Sequence, residues 1–207
     1  MEGIEASIPY DNQPIQASIF NETRLLTSWI TPDSLEVQNK YNQLTSGLTS
    51  TQDKVLACFN YVASIPYTQF VRVSANVAGK TFVQPDAWLL PEEAIFAGKL
   101  NCMNKSCLFA SLVGNELPKD NVWVTLGNLV NGHPEGHAWV TIGDQIFETT
   151  ADKVIPSRLA TRYEDVVYFS NSDVRVVPDR ALSEPVGISY SCVRWLQDYL
   201  ATEFCRT

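Results

Sequence analysis

Five short runs rich in β-branched and aromatic residues follow one another at positions 122–126, 138–142, 145–149, 166–169 and 174–177. Runs of this length bounded by turn-forming residues are strand signals, and Gly143-Asp144 between the second and third closes a tight hairpin. The first half of the chain carries a different period. Leu25, Leu26, Trp29 and Ile30 suit a short helix stopped by Thr31-Pro32, and a second opens at Pro32-Asp33-Ser34 with Leu35, Val37, Tyr41 and Leu44 apolar. A third, capped within Ser50-Thr51-Gln52-Asp53, carries Val55, Leu56, Phe59 and Val62 and ends at Ile65-Pro66. Residues 68–90 read as strand or extended loop; Pro91-Glu92-Glu93 opens a short helix that Gly98 closes; and Asn101 caps a helix running to about Val113. Helices first and consecutive strands afterwards make an α+β domain, a helical N-terminal half packed on an antiparallel sheet.

The division expected is an N-terminal arm with helices over 1–49, a catalytic core over 50–180, and over 181–207 a C-terminal helix, with Val193, Leu196, Leu200 and Phe204 on one face, packed on the core. Ala6 to Tyr10 repeats Ala63 to Tyr67, but the similarity stops at the tyrosines, so it marks no internal repeat. At 207 residues with 45% hydrophobic and 11% aromatic content, the chain can fill the core of a single globular domain.

Charge excludes some partners. Fifteen Lys and Arg against 23 Asp and Glu leave a net charge of −8, with no basic stripe to neutralise a phosphate backbone, so nucleic acid is not an expected partner. No apolar run approaches the roughly 18 residues of a membrane helix, and the acidic start is not a secretory signal, which gives a cytoplasmic expectation. The five cysteines are an odd number without a Cys-x-x-Cys pair, so at least one thiol is free.

Attack on an amide carbonyl by a thiol needs a cysteine whose anion is favoured, an imidazole within reach, and an acceptor that orients the imidazole. Cys102 follows Asn101 and falls in a helix's first turn, where unpaired N–H groups and the macrodipole favour an anion. His137 begins a strand, and Glu148 lies 11 residues on, across the Gly143-Asp144 turn. In that hairpin, paired positions sum to about 287, which puts Glu148 on a diagonal to His137. Asp144 and Asp152 are neighbouring carboxylates that a shifted register would bring in instead. The backbone N–H of Cys102 is a first oxyanion donor, and Gln69, Gln84 and Trp88 are candidates for a second.

Other chemistries have weaker footing. His133, Glu135 and His137 place three metal-ligand types within five residues, yet Gly132, Pro134 and Gly136 give the segment the look of a loop and no further Cys or His completes a zinc set. The segment from Ser74 to Thr81 is a near miss to a phosphate loop, lacking its first glycine and a following helix. No Gly-x-Ser-x-Gly elbow occurs.

The run from Asn101 through Cys102 to Leu108, the His137-Ala138-Trp139-Val140 element, Phe147-Glu148-Thr149 and the helix ending in Ile65-Pro66-Tyr67 together resemble the transglutaminase-like superfamily, over about residues 50–153. That family has a Cys-His-Asp triad on a papain-like fold. This chain departs from it in carrying Glu148 where the family generally has Asp, and Leu100 where it tends to have Gly. The resemblance implies a cysteine peptidase or amidase, or a transglutaminase-like acyltransferase, that works through an acyl-thioenzyme on a peptide or protein amide, with Cys102 as nucleophile, His137 as proton shuttle and Glu148 as its orienter. It favours hydrolysis. It implies no cofactor, and no EF-hand type loop calls for calcium. Two alternatives stand beside it: an inactive scaffold of the same fold used for protein binding, and a metal-binding protein using His133, Glu135 and His137.

Overall fold

The computed structural model describes residues 5–6, 25–77, 80–84, 87–131 and 133–177. Strand β1 (Glu5–Ala6) is followed by a 3-10 turn (Leu26–Trp29), helices α1 (Leu35–Thr45) and α2 (Thr51–Ser64), strands β2 (Arg72–Val77) and β3 (Lys80–Gln84), and helices α3 (Pro91–Ala94) and α4 (Cys102–Val113). Six strands then complete the described chain: β4 (Val122–Asn131), β5 (His133–Ile142), β6 (Gln145–Glu148), β7 (Lys153–Pro156), β8 (Tyr163–Phe169) and β9 (Val174–Val176). These six form one sheet in the order β7-β6-β5-β4-β8-β9, with every neighbouring pair antiparallel. The fold is α+β, N-terminal helices on a six-stranded antiparallel sheet, the class expected from the sequence.

Local chemistry starts the helices where the sequence signals them. Ser34, Ser50 and Asn101 each stand at an N-cap and accept a hydrogen bond from the backbone N–H three residues on, each cap contributing about 1 kcal/mol. Helix α4 is the centre of the molecule, with every residue from Met103 to Val113 buried. It packs on α1, α2 and α3 on one side and on β4 and β5 on the other. Phe59 of α2, Phe109 of α4 and Phe147 of β6 meet with ring centroids 5.3 to 5.7 Å apart, so one aromatic cluster joins both helical layers to the sheet. Each such side chain contributes about 1.5–3 kcal/mol by burial.

The β5–β6 hairpin has the expected register. Val140, Thr141 and Ile142 pair with Phe147, Ile146 and Gln145, and Gly143 takes a φ of +59°, a conformation that glycine adopts without steric cost.

Two local expectations are corrected. Residues 133–136 are not a loop but the start of β5, paired with β4 as far as Asn131 and His133. Pro134 is tolerated because Val130 opposite it donates its N–H the other way, to Arg162 O at 2.8 Å, and β6 covers β5 only from Val140 onward. Pro134 therefore stands in a non-bonded pair on an open edge, where a missing N–H costs nothing. Helix α3 ends at Ala94, well before Gly98, because its last carbonyls are taken by tighter three-residue bonds from Phe96 and Ala97. Strand β7 carried no clear sequence pattern; it pairs along β6. Ser74–Val77 and Lys80–Thr81 lie in the antiparallel β2–β3 pair, with no helix opening directly after them, as expected. The C-terminal helix expected near 189–204 and most of the N-terminal arm lie outside the described residues.

Candidate active site

Cys102 is the first residue of α4, and Asn101 Oδ1 accepts from Asn104 N at 2.9 Å to fix that first turn. Asn104 then ties the turn to the preceding segment: its Oδ1 accepts from Leu89 N at 2.9 Å and its Nδ2 donates to Ala87 O at 3.1 Å. The backbone ahead of Cys102 is anchored too, because Leu100 N donates to Pro66 O and Thr68 N to Leu100 O, both at 3.0 Å. The cysteine is half-exposed, whereas Cys58 and Cys107 are buried. Burial pushes the Cys58 thiol up to about 12 and the Cys107 thiol higher still. Cys192 and Cys205 lie outside the described residues.

His137 and Glu148 meet as the hairpin register requires. The imidazole Nε2 donates to Glu148 Oε2 at 2.6 Å, with the carboxylate side chain only 1% exposed and the imidazole 12%. Cys102 lies close enough to His137 to favour the charged imidazole. Burial by itself would lower the His137 pKa, but the hydrogen bonds and negative charges of Cys102 and Glu148 outweigh it and raise the imidazolium to about 10. Burial likewise works against the Glu148 anion, yet the His137 and Thr150 hydrogen bonds hold it below the usual carboxylate range.

The extra methylene of Glu148 relative to aspartate is accommodated by a full set of donors. Thr150 donates to Oε1 from its backbone N–H, at 3.0 Å, and from its hydroxyl, while Tyr163 Oη donates to Oε2 at 3.2 Å. With four hydrogen bonds, the carboxylate has one orientation open to it. Trp139, fully buried on the same strand as His137, packs edge-on against Tyr163 at 5.0 Å. Gly127 stands directly opposite His137 in β4, where the register with β8 shifts. A Cβ there would meet Glu164 O at 2.1 Å and Trp139 Cη2 at 2.6 Å, so only glycine lets β8 and the indole close over the strand.

The sequence-predicted residues divide clearly. Cys102, His137 and Glu148 come together; Asp152 is not His137's partner and stands in the turn after β6 with a φ of +52°. Of the oxyanion candidates, Gln69 is exposed, Trp88 is half-buried against Trp29 with ring centroids 5.4 Å apart, and the side chain of Gln84 lies outside the described part. So do the side chains of His133 and Glu135, though strand geometry gives both the same parity as His137. Thr150, Tyr163 and Asn104 were missed by sequence reasoning. Thr150 had a signal, a hydroxyl two residues past a carboxylate at a strand end. Tyr163 had none, since it arrives from another strand.

No protein-family model matches the chain, and no curated protein matches it by sequence. Solved structures do. LapG of Legionella pneumophila in its calcium-bound form superimposes with a TM-score of 0.52 at 14% identity, covering 76% of this chain and 85% of that one. A second LapG structure gives 0.53 at 14% identity over 72% and 81% of the two chains, and an EGTA-treated form 0.53 at 16% over 77% and 82%. At such identities the likeness is one of fold, and the fold of this chain is LapG-like.

Proposed function

We propose that this chain is a thiol-dependent amide hydrolase or acyl transferase, of the cysteine peptidase kind, acting on a peptide or protein amide. The observation that carries the reading is the buried His137–Glu148 pair, joined at 2.6 Å through Nε2, beside Cys102 at the start of α4. The LapG-like fold and the transglutaminase-like motifs around Cys102 and His137 support it.

In this mechanism His137, with Nε2 engaged by Glu148 and its imidazolium favoured at neutral pH, already holds the thiol proton on Nδ1, and the Cys102 sulfur attacks the amide carbonyl carbon as the thiolate. The negative charge developing on the carbonyl oxygen is stabilised by the Cys102 backbone N–H at the start of α4, where first-turn N–H groups have no partner within the helix. Collapse of the adduct breaks the C–N bond, and His137 returns the proton to the departing amine, leaving an acyl-thioenzyme. Water or a second amine, deprotonated by His137, then releases the acyl group and restores the thiol. Glu148 keeps the Nε2 proton in place and stabilises the imidazolium at each stage. The LapG structures include calcium-bound and EGTA-treated forms. Among the described residues of this chain no cluster of three or more His, Cys, Asp or Glu could hold a metal ion, and no step here passes through one.

Brief iodoacetamide treatment near neutral pH followed by mass spectrometry tests the proposal. Selective alkylation at Cys102, together with loss of peptide-amide cleavage in Cys102→Ala, is the expected result. Equal or absent labelling at Cys102 would favour the binding scaffold instead.

A further inference from the structure

One buried charge plays no part in that mechanism. Lys105 lies one turn after Cys102 on α4 and is 1% exposed, a burial that costs a lysine several kcal/mol unless its ammonium is well partnered. Its Nζ donates to Thr149 O at 2.9 Å and to Ala63 O at 3.1 Å. Thr149 directly follows Glu148, and Ala63 sits in the last turn of α2. The ammonium thus joins the helix that carries Cys102 to the turn that follows Glu148, and both to a third element.

That turn needs holding. Asp152 within it adopts a φ of +52°, a left-handed conformation that aspartate visits more readily than most residues but still at some cost. Thr150, also within it, supplies two of the hydrogen bonds that orient Glu148. An apolar side chain of similar length would fill the space without the desolvation cost of a charge; only a donor at the end of a long stem reaches both carbonyls. The charged groups facing the ammonium are Glu148 of β6 and Asp152 of the turn, and their attraction opposes the lowering that burial imposes on Lys105.

We propose that Lys105 is a positioning residue, the tether that sets the separation between the Cys102 thiol and the His137–Glu148 pair; this rests on the reading of Cys102 as nucleophile. The test uses the full chain and follows the rate of Cys102 alkylation by iodoacetamide from pH 5 to 9 in wild type, Lys105→Met and Leu108→Ala. Leu108 is fully buried on the same helix and controls for loss of packing alone. Lys105→Met is expected to react about tenfold more slowly near neutral pH and to shift the acid limb upward by about one pH unit. Leu108→Ala is expected to lose stability with its profile unmoved. A Lys105→Met profile superimposed on wild type would overturn the proposal. Should that variant not fold, Lys105→Arg is expected to keep the wild-type profile and Lys105→Gln to shift it, and the reverse pattern overturns the proposal equally. Wild-type Cys102 reacting at pH 6 no faster than in the urea-unfolded chain would defeat the nucleophile reading itself, a result distinct from failure of the tether alone.

Discussion

Two glutamates stand near opposite ends of the central helix and use similar chemistry to different ends. Glu116, just past the C-terminus of α4, accepts hydrogen bonds from Tyr41, Thr51 and Lys54, the last at 2.9 Å, and so clamps α1 and α2 to the end of α4. Glu148 accepts from His137, Thr150 and Tyr163 near the other end. Both carboxylates are held below their ordinary range, Glu116 at about 2 and Glu148 lower than usual as well. The difference lies in the partners. Around Glu116 the donors are two hydroxyls and an ammonium, each a fixed end point. Opposite Glu148 the donor is an imidazole, a group that itself titrates and that has Cys102 among its neighbours; in the proposed mechanism this gives a proton somewhere to go. A saturated carboxylate is a clamp or the anchor of a relay according to what its partner touches next.

Substituting each glutamate breaks the comparison most sharply. Glu148→Gln keeps the side chain's shape but removes the charge that holds the Nε2 proton, and peptide-amide turnover is expected to fall about 10³- to 10⁴-fold, by analogy with loss of the triad carboxylate elsewhere. Glu116→Gln is expected to leave turnover within about twofold, since it acts only on packing at the far end of α4. Steady-state kinetics on both variants decides it, and a large loss of turnover in Glu116→Gln would erase the distinction.

A second substitution sharpens the contrast in tolerance. Gly127→Ala places a methyl against Glu164 O and the Trp139 ring, and about 2–4 kcal/mol of stability should be lost, read as a lower urea midpoint. The change forces β8 or Trp139 away from the strand opposite His137, so Cys102 labelling should weaken as well. Unchanged stability would mean that the bulge at Gly127 carries no constraint on the site.

The smallest effect concerns pH, where the two regions act on opposite limbs. Glu116 is depressed to about 2 in the fold, so its stabilisation is present above the ordinary carboxylate pKa of about 4.5 and is lost as pH falls toward 2. His137 is raised to about 10, so its stabilisation is complete below about 6.5 and is lost as pH rises through 10. Thermal unfolding across pH 2–10 should show Glu116→Gln flattening only the acid limb, by a few degrees in Tm. A flattened alkaline limb in that variant would contradict the assignment.

Much of this molecule was legible in the chain because it is encoded locally. Ser34, Ser50 and Asn101 are caps whose hydrogen bonds reach only three residues, and the Gly143-Asp144 turn sets a register that carries Glu148 back to His137 by counting. Cys102 at a helix start follows from Asn101 alone. What could not be read was nonlocal. Pro134 looks like a loop residue until β4 turns its hydrogen bonds toward Arg162, and Tyr163 reaches Glu148 from a strand on the far side of β4. Lys105 looks like an ordinary helix lysine; the carbonyls that hold it lie 42 and 44 positions away. The sequence by itself determined where helices start, where the hairpin turns and that His137 and Glu148 fall within reach across it, since caps, glycine conformations and strand alternation are short-range constraints. Tertiary structure alone decided which polar groups are buried against which, because satisfying a buried donor or charge depends on partners that only the folded packing brings within 3 Å.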